Sequence, residues 1–277
     1  MTISRTVSPA RPAGLSPSLE STLVQTRMQR VPTFHQHGFT LIEIAIVMFI
    51  VTLLLGGMLM PLSAQQDIRN QGNTQKQLTE AREALLGFAM ANGRLPCPAT
   101  AASNGVESPV DGVGGCANPH DGYLPAATLG LAPIDAQGFA VDGWGGNTIN
   151  RIRYAVTTAN ASAFTTANGM KTITMTALSP DLKVCNAGNG VDLATADCTA
   201  TSSLAADAVA VIYSVGKNAS TGGNGADETH NPNPNPTAVA ADRAFVSAQS
   251  SADFDDQVIW LSKNILFNRM VSAGQLP

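Results

Sequence analysis

The chain has 277 residues, 16 of them basic and 20 acidic, for a net charge of −4. It has no basic excess with which to track a phosphate backbone, and no nucleic-acid partner is expected. Charged residues make up only 13% against about 25% in an ordinary soluble domain, yet 44% hydrophobic content is normal, which excludes disorder driven by net charge.

The charge is unevenly placed. Up to Gly38, four arginines (Arg5, Arg11, Arg27, Arg30) stand against Glu20 alone, leaving 12 basic and 19 acidic residues beyond it. Residues 1–38, with Pro9, Pro12 and Pro17, read as a polar leader. Met28 is a second candidate start, which would shorten that leader to 11 residues.

Residues 39–60 form an apolar run of 22 residues, about 33 Å of helix at about 1.5 Å per residue, which matches the roughly 30 Å hydrocarbon core of a bilayer. The arginines before it predict a cytoplasmic N-terminus and export of everything after position 60. A cleaved secretory signal is the simpler alternative, and Leu62-Ser63-Ala64 offers small residues for it, but the run is longer than the roughly 7–15 residues of a signal core. It also contains a carboxylate, Glu43. An acid in hydrocarbon costs on the order of 2.5–3.5 kcal/mol, so it marks a partner unless the side chain reaches the interface by snorkelling.

Over residues 61–93 the helical period continues. Leu78, Ala81, Leu85 and Phe88 form one apolar face, Lys76 and Glu80 are spaced as an i,i+4 pair, and Asn92-Gly93 before Leu95-Pro96 is a stop signal. Gly56-Gly57, Pro61 and Gly72 are candidate bend points. Residues 94–277 predict an α+β head. Residues 152–156 and 173–177 alternate as half-buried strands, while 209–215 and 258–261 are short apolar runs. A small antiparallel sheet packed on the helix is expected, followed by a terminal helix capped by Ser262 that carries Ile265, Leu266, Phe267 and Met270 and ends near Gly274.

Cys97, Cys116, Cys185 and Cys198 all lie in the exported part, where oxidation is expected. Two disulfides follow, and pairing of sequence neighbours is the favoured one of three connectivities. Neither pair has the two-to-four-residue spacing of a zinc site. The chain has no Gly-x-Ser-x-Gly, no Gly-x-x-x-x-Gly-Lys and no His-Glu-x-x-His. His120 and His230 sit in loop-like contexts and read as surface residues, and Gly222-Gly223-Asn224-Gly225 reads as linker. No enzymatic activity is expected.

Gly38-Phe39-Thr40-Leu41-Ile42-Glu43, followed by an unbroken apolar helix and Pro61, resembles the processing and methylation motif of type IV prepilins and type II secretion pseudopilins. The resemblance implies a cut between Gly38 and Phe39 by a membrane prepilin peptidase, N-methylation of Phe39, and filament assembly in which Glu43 faces the terminal amine of a neighbouring subunit. Cutting creates an α-ammonium of ordinary pKa about 7.7–8.0 at the membrane boundary. At about 4 Å and an effective dielectric of about 20, its attraction to a carboxylate is about 4 kcal/mol before desolvation. Such a pair acts best as a register device.

The implied architecture is a long N-terminal transmembrane helical spine with a small antiparallel β-sheet head, as in type IV pilins. The implied partners are the peptidase, copies of the chain or other pilin-like subunits, an inner-membrane assembly platform and the lipid bilayer. Leu86 to Pro98 and Trp260 to Met270 are similar to uncharacterised prepilin-like proteins. Asp142-Gly143-Trp144-Gly145, then Tyr213 to Asn218 and Asp227-Glu228, resemble the order in major pseudopilins, whose late head loop binds calcium. Asp227, Glu228, Asp253, Asp255 and Asp256 are the candidate ligands. An insertion holding residues 231–236 separates them, so a solvated acidic loop is the simpler expectation. The competing class is a periplasmic enzyme or binding domain on an uncleaved anchor.

Overall fold

A computed structural model describes residues 38–110, 113, 115–146, 148–192, 195, 197–221, 225, 227–231, 243–251 and 253–276, without the side chains of 57–62 and 221. The leader and its alternative start therefore lie outside the described residues, as do most of the Asn-Pro insertion and much of the glycine-rich linker. The chain divides into two units, Met1–Leu54 and Leu55–Pro277.

Helix α1 runs over Leu41–Asn92. It stops where Asn92-Gly93 predicts, with the Gly93 N–H closing on the Ala89 carbonyl at 2.9 Å. In its first part every described side chain through residue 56 is exposed. Among the described residues no helix is long and apolar enough to cross a membrane; the run over 39–60 includes side chains outside that description. In its last turns the predicted face is buried: Leu78, Ala81 and Leu85, joined by Leu86 and Ala89, with Phe88 half-buried. Lys76 and Glu80 pair on the exposed side at 3.7 Å.

The rest of the chain is α+β. Its strands are β1 (Gly122–Tyr123), β2 (Arg153–Val156), β3 (Leu182–Cys185), β4 (Val191–Asp192), β5 (Asp197–Cys198), β6 (Ser203–Ser214), β7 (Ala244–Val246) and β8 (Gln257–Ser262), and its short helices are α2 (Ala126–Leu129), α3 (Ala159–Ser162) and α4 (Lys263–Ser272). β6 is the common partner of β2, β3 and β8 in a six-stranded sheet of order β1-β2-β6-β3-β7 with β8 on β6, while β4 and β5 form a separate ribbon. From Val209 onward β6 is buried on both faces, which is why it reads as a continuous apolar run and not as an alternation.

One sheet face meets α1 and α4 in a core of Leu78, Leu85, Tyr154, Val209, Ile212 and Leu266. The other face buries Leu182, Val184, Val211, Tyr213 and Phe245.

Three expectations are corrected. Residues 173–177 are not a strand. The Ala177 and Leu178 N–H groups fold back on the Thr174 carbonyl at 2.9 and 3.2 Å, and Met175 is left exposed, because alternation without an adjacent strand edge has nothing to pair with. The sheet is not wholly antiparallel, since β7 lies parallel to β3, a direction that the long connection from β6 permits. Ser262 occupies the N-cap position of α4 but makes no side-chain cap bond, being also the last residue of β8. Of the residues assigned to the buried face of α4, Leu266 and Met270 are buried and Ile265 is exposed.

Two buried polar arrangements brace the end and the flank of α1. Arg94, just past the helix, grips Glu107 through two bonds of 2.8 and 2.7 Å; both side chains are almost wholly buried, and Glu107 also accepts the Cys97 N–H at 3.1 Å. Gly143 lies flat on α1 and donates its N–H to the Thr74 hydroxyl at 2.9 Å. A Cβ there would collide with the Asn70 backbone. Asp142 beside it accepts from Ser214 at 2.6 Å and from the N–H groups of Trp144 and Gly145, so the Asp-Gly-Trp-Gly stretch is a clamp between helix and sheet.

Removing one partner of a buried pair strands the other charge, at about 3–5 kcal/mol. Glu107→Ala is expected to lower the unfolding free energy by about that amount, measured by chemical denaturation against the parent chain. A loss below about 1 kcal/mol would show that Arg94 finds equivalent solvation.

Candidate functional site

Gly38, Phe39 and Thr40 precede α1 in non-helical backbone and are exposed. A Cβ at Gly38 would meet nothing within 4 Å, so the fold of the chain places no demand for glycine there. Thr40 and Glu43 form a reciprocal helix cap. Glu43 Oε2 accepts from the Thr40 N–H and from its hydroxyl, both at 3.2 Å, and the Glu43 N–H donates to Thr40 Oγ1 at 3.3 Å. This is the Thr-x-x-Glu capping box, a local role that treating Glu43 only as an isolated acid overlooks, although Thr40-Leu41-Ile42-Glu43 spells it. The cap engages Oε2. The residue thus stabilises the start of its own helix and stands four positions after the new amino terminus that a cut at Gly38 would create.

The five candidate calcium ligands divide. Glu228, Asp255 and Asp256 converge, offering one oxygen each within 4.8 Å of one another. Asp227 is turned away and accepts the Gly188 N–H through Oδ1 at 2.5 Å. Asp253 is exposed and is not in the cluster.

Three elements build the cluster. Glu228 opens the single turn Glu228–His230, while Asp255 and Asp256 immediately precede β8. The loop after β6 supplies Gly216, Lys217 and Asn218. Glu228 accepts Asn218 Nδ2 on both oxygens at 2.8 and 2.9 Å and the Asp255 N–H at 2.9 Å. Asp255 Oδ2 accepts the N–H groups of Lys217 and Asn218 at 2.8 and 3.1 Å. Asp256 Oδ2 accepts Asn231 Nδ2 at 2.8 Å. Gly216, at φ +67°, brings bare backbone against the Asp255 carboxylate, where any Cβ would collide.

This is not a solvated loop, which corrects the simpler expectation: Glu228 is 1% exposed and Asp256 8%. Burial, reinforced by the Glu228 and Asp255 charges, lifts Asp256 to about 7 against the opposing bond from Asn231. Burial also raises Asp255, and the neighbouring Glu228 adds to it. Asp255 Oδ1 is buried and, among the described residues, has no hydrogen-bond donor. Asp255 and Asp256 line an open cleft of about 340 Å³ with Gln71, Gly72, Gln75 and Ser250, so the cluster has access from solvent. Three carboxylates, one with an unsatisfied buried oxygen, suit a hard divalent cation.

The cysteines pair with their sequence neighbours, Cys97 with Cys116 and Cys185 with Cys198. His230 is half-buried. His120 is buried, not a surface residue, because the Val156 N–H holds the preceding Pro119 carbonyl against the sheet edge at 2.8 Å. Among the described residues its Nε2 has no partner, and burial depresses the imidazole pKa to about 4.

These two groups give opposite pH dependences. Asp256 binds its proton more tightly folded than unfolded, so its stabilising contribution is present below about 4 and is lost as pH rises to about 7. His120 binds its proton less tightly when folded, so stability is gained as pH rises from about 4 through 6.5. Asp256→Asn removes the first effect alone. At pH 8 in chelator the variant is expected to be more stable than the parent by on the order of 4 kcal/mol, with the difference vanishing near pH 4 in denaturant titrations. Parallel pH profiles for the two chains would refute the assignment.

Residues 33–59 match the family model described as the prokaryotic N-terminal methylation motif. No curated protein and no solved structure matches the chain. The matched segment contains Gly38, Phe39 and the Thr40–Glu43 cap, and with it the chain carries the N-terminal hallmark of the type IV pilin and pseudopilin family.

Proposed function

We propose that the chain is a structural pilin-like subunit whose work is mechanical. Prepilin peptidase cuts it after Gly38 and methylates Phe39; the subunit waits in the inner membrane with its sheet in the periplasm and then joins a type IV pilus or type II secretion pseudopilus. The match of residues 33–59 to the methylation motif carries this reading. Two features support it. Glycine at position 38 answers no need of the chain's own fold, as fits a backbone bound by a peptidase. The exposed apolar side chains of the first part of α1 need lipid or neighbouring helices to cover them. The order of the Asp-Gly-Trp-Gly clamp and the acidic cluster leans toward the pseudopilus.

The same reading includes calcium at Glu228, Asp255 and Asp256. The cation would neutralise three carboxylates that the fold crowds together, tying the loop after β6, the turn at Glu228 and the start of β8.

Gly38→Val is expected to abolish the cut, leaving an intact leader by N-terminal mass. Glu43→Gln separates charge from cap, because glutamine still completes the capping box. It is expected to insert and be processed normally while failing to assemble. Wild-type filaments from Glu43→Gln, alongside failure of Glu43→Ala, would transfer the role from charge to cap. An unprocessed wild-type chain in the mature membrane would favour a tethered periplasmic domain instead.

Millimolar calcium is expected to raise Tm at pH 8 by several degrees, and Asp255→Asn to remove the shift. An unchanged melting curve for the parent would end the calcium proposal without touching the processing one.

A further inference from the structure

The acidic cluster is connected to one of the two disulfides by short hydrogen bonds linked through adjacent backbone residues. Cys185 ends β3, and the parallel pairing sets Val246 of β7 beside it, with the next amide, Ser247 N–H, donating to the Cys185 carbonyl at 2.8 Å. β7 is a three-residue edge strand. Its outer side at Val246 is closed by a side chain in place of another strand. Asn231 Oδ1 accepts the Val246 N–H at 2.8 Å, and Asn231 Nδ2 donates to the Val246 carbonyl at 2.8 Å. The same Nδ2 donates to Asp256 Oδ2, and Asn231 is fully buried.

A second link leaves the loop that the disulfide closes. Gly188, between Cys185 and Cys198, donates its N–H to Asp227, the residue before Glu228. The loop is braced internally by the Val191–Cys198 and Asp192–Asp197 pairs of β4 and β5, by the Thr199 N–H on the Gly190 carbonyl at 2.8 Å and by the Asn186 N–H on the Ser202 carbonyl at 2.8 Å. Two of the three cluster carboxylates therefore take their position from groups one or two hydrogen bonds away from the 185–198 loop. The Cys97–Cys116 bridge instead adjoins the Arg94–Glu107 pair through the Cys97 N–H.

We propose that the Cys185–Cys198 disulfide is a positioning element of the cation site, acting through Val246 and Asn231 on Asp256 and through Gly188 and Asp227 on Glu228. The inference rests on the calcium reading above. Among the described residues β7 pairs with one strand only, and Asn231 completes the hydrogen bonding of Val246 on the other side, while the side chains of β7 are held in the core. Closing the 185–198 loop restricts it and fixes where Val246 presents its amide and carbonyl to Asn231. Asn231 in turn spends its one amide group on two tasks, sealing the edge and holding Asp256. The coupling is reciprocal: whatever orders the carboxylates also orders the disulfide loop.

The test titrates calcium into the full-length parent chain, Cys185→Ala/Cys198→Ala, Cys97→Ala/Cys116→Ala and Asn231→Ser, with amide exchange at Val246 and Ser247 followed without calcium. The first cysteine-pair variant is expected to bind calcium at least about tenfold more weakly and to exchange both amides faster. The second pair is expected to match the parent in both readouts. Asn231→Ser keeps both disulfides and cuts the link itself, so it is expected to weaken calcium binding as well, and it carries the test should the first variant not fold. Parent-like affinity in the Cys185/Cys198 variant, or in Asn231→Ser, overturns the inference while the cation site stands. Equal weakening by both cysteine pairs overturns it too, as loss of general stability. No calcium bound by the parent removes the cation site and the inference together.

Discussion

The fold rests on the packing of one helical stripe against one sheet. Leu78, Ala81, Leu85, Leu86 and Ala89 of α1 bury themselves against β2, β6 and β8. With about 1.5–3 kcal/mol for each fully buried large aliphatic side chain, this contact outweighs any single polar tie in the molecule. It also explains why β6 is apolar on both faces: α1 and α4 cover one side, and Leu182, Val184, Tyr213 and Phe245 fill the other. The polar ties then fix orientation. Arg94–Glu107 locks the turn after the helix, and Gly143 with Thr74 locks the flank, so the stripe can meet the sheet in one register only.

The buried polar groups of the chain are of two kinds. Arg94–Glu107 and the Asp142 network are complete, each charge facing donors or an opposite charge. Glu228, Asp255 and Asp256 are different, because three acids share one small volume and, among the described residues, an oxygen of Asp255 accepts nothing. Fully satisfied networks specify a fold, whereas an unsatisfied one costs stability. Three crowded acids at an open cleft are the physical reason to propose a ligand for the cluster, and Asn231 and Gly216 show that the surrounding chain is shaped to hold these carboxylates in place.

Much of this was legible in the sequence where a single local rule governs. The apolar face of α1, its stop at Asn92-Gly93, β2, β8 and the neighbour pairing of the cysteines all follow from period, punctuation or short spacing. The rest depends on partners distant in the chain. Residues 173–177 have strand alternation but no edge to join, and β3 and β7 are too short and mixed to declare themselves without each other. Of the acids, only contact across the residues 218–256 distinguishes Glu228, Asp255 and Asp256 from Asp227 and Asp253. The capping box at Thr40 and Glu43 was fully spelled in four residues; the anomaly of an acid in an apolar run drew attention away from it. His120 shows the limit of reading loops as surface, because an irregular segment pinned by a backbone hydrogen bond is as buried as a strand.

The glycines separate two kinds of constraint. At Gly143 and Gly216 the reason for glycine lies inside the molecule, where backbone or a carboxylate occupies the space a Cβ would take. At Gly38 a Cβ would meet nothing within 4 Å, and the residue sits in exposed, non-helical chain inside the matched methylation motif. On the reading proposed above, glycine there serves the peptidase that binds the chain and not the fold. The same logic applies one turn later. Capping α1 needs only a side-chain oxygen at position 43, which glutamine supplies equally well, so whatever requires a negative charge there is not the helix. In that proposed reading positions 38 and 43 carry chemistry directed outward, while the clamp at Gly143 and the pocket at Gly216 carry chemistry directed inward, toward the packing of the sheet on the helix.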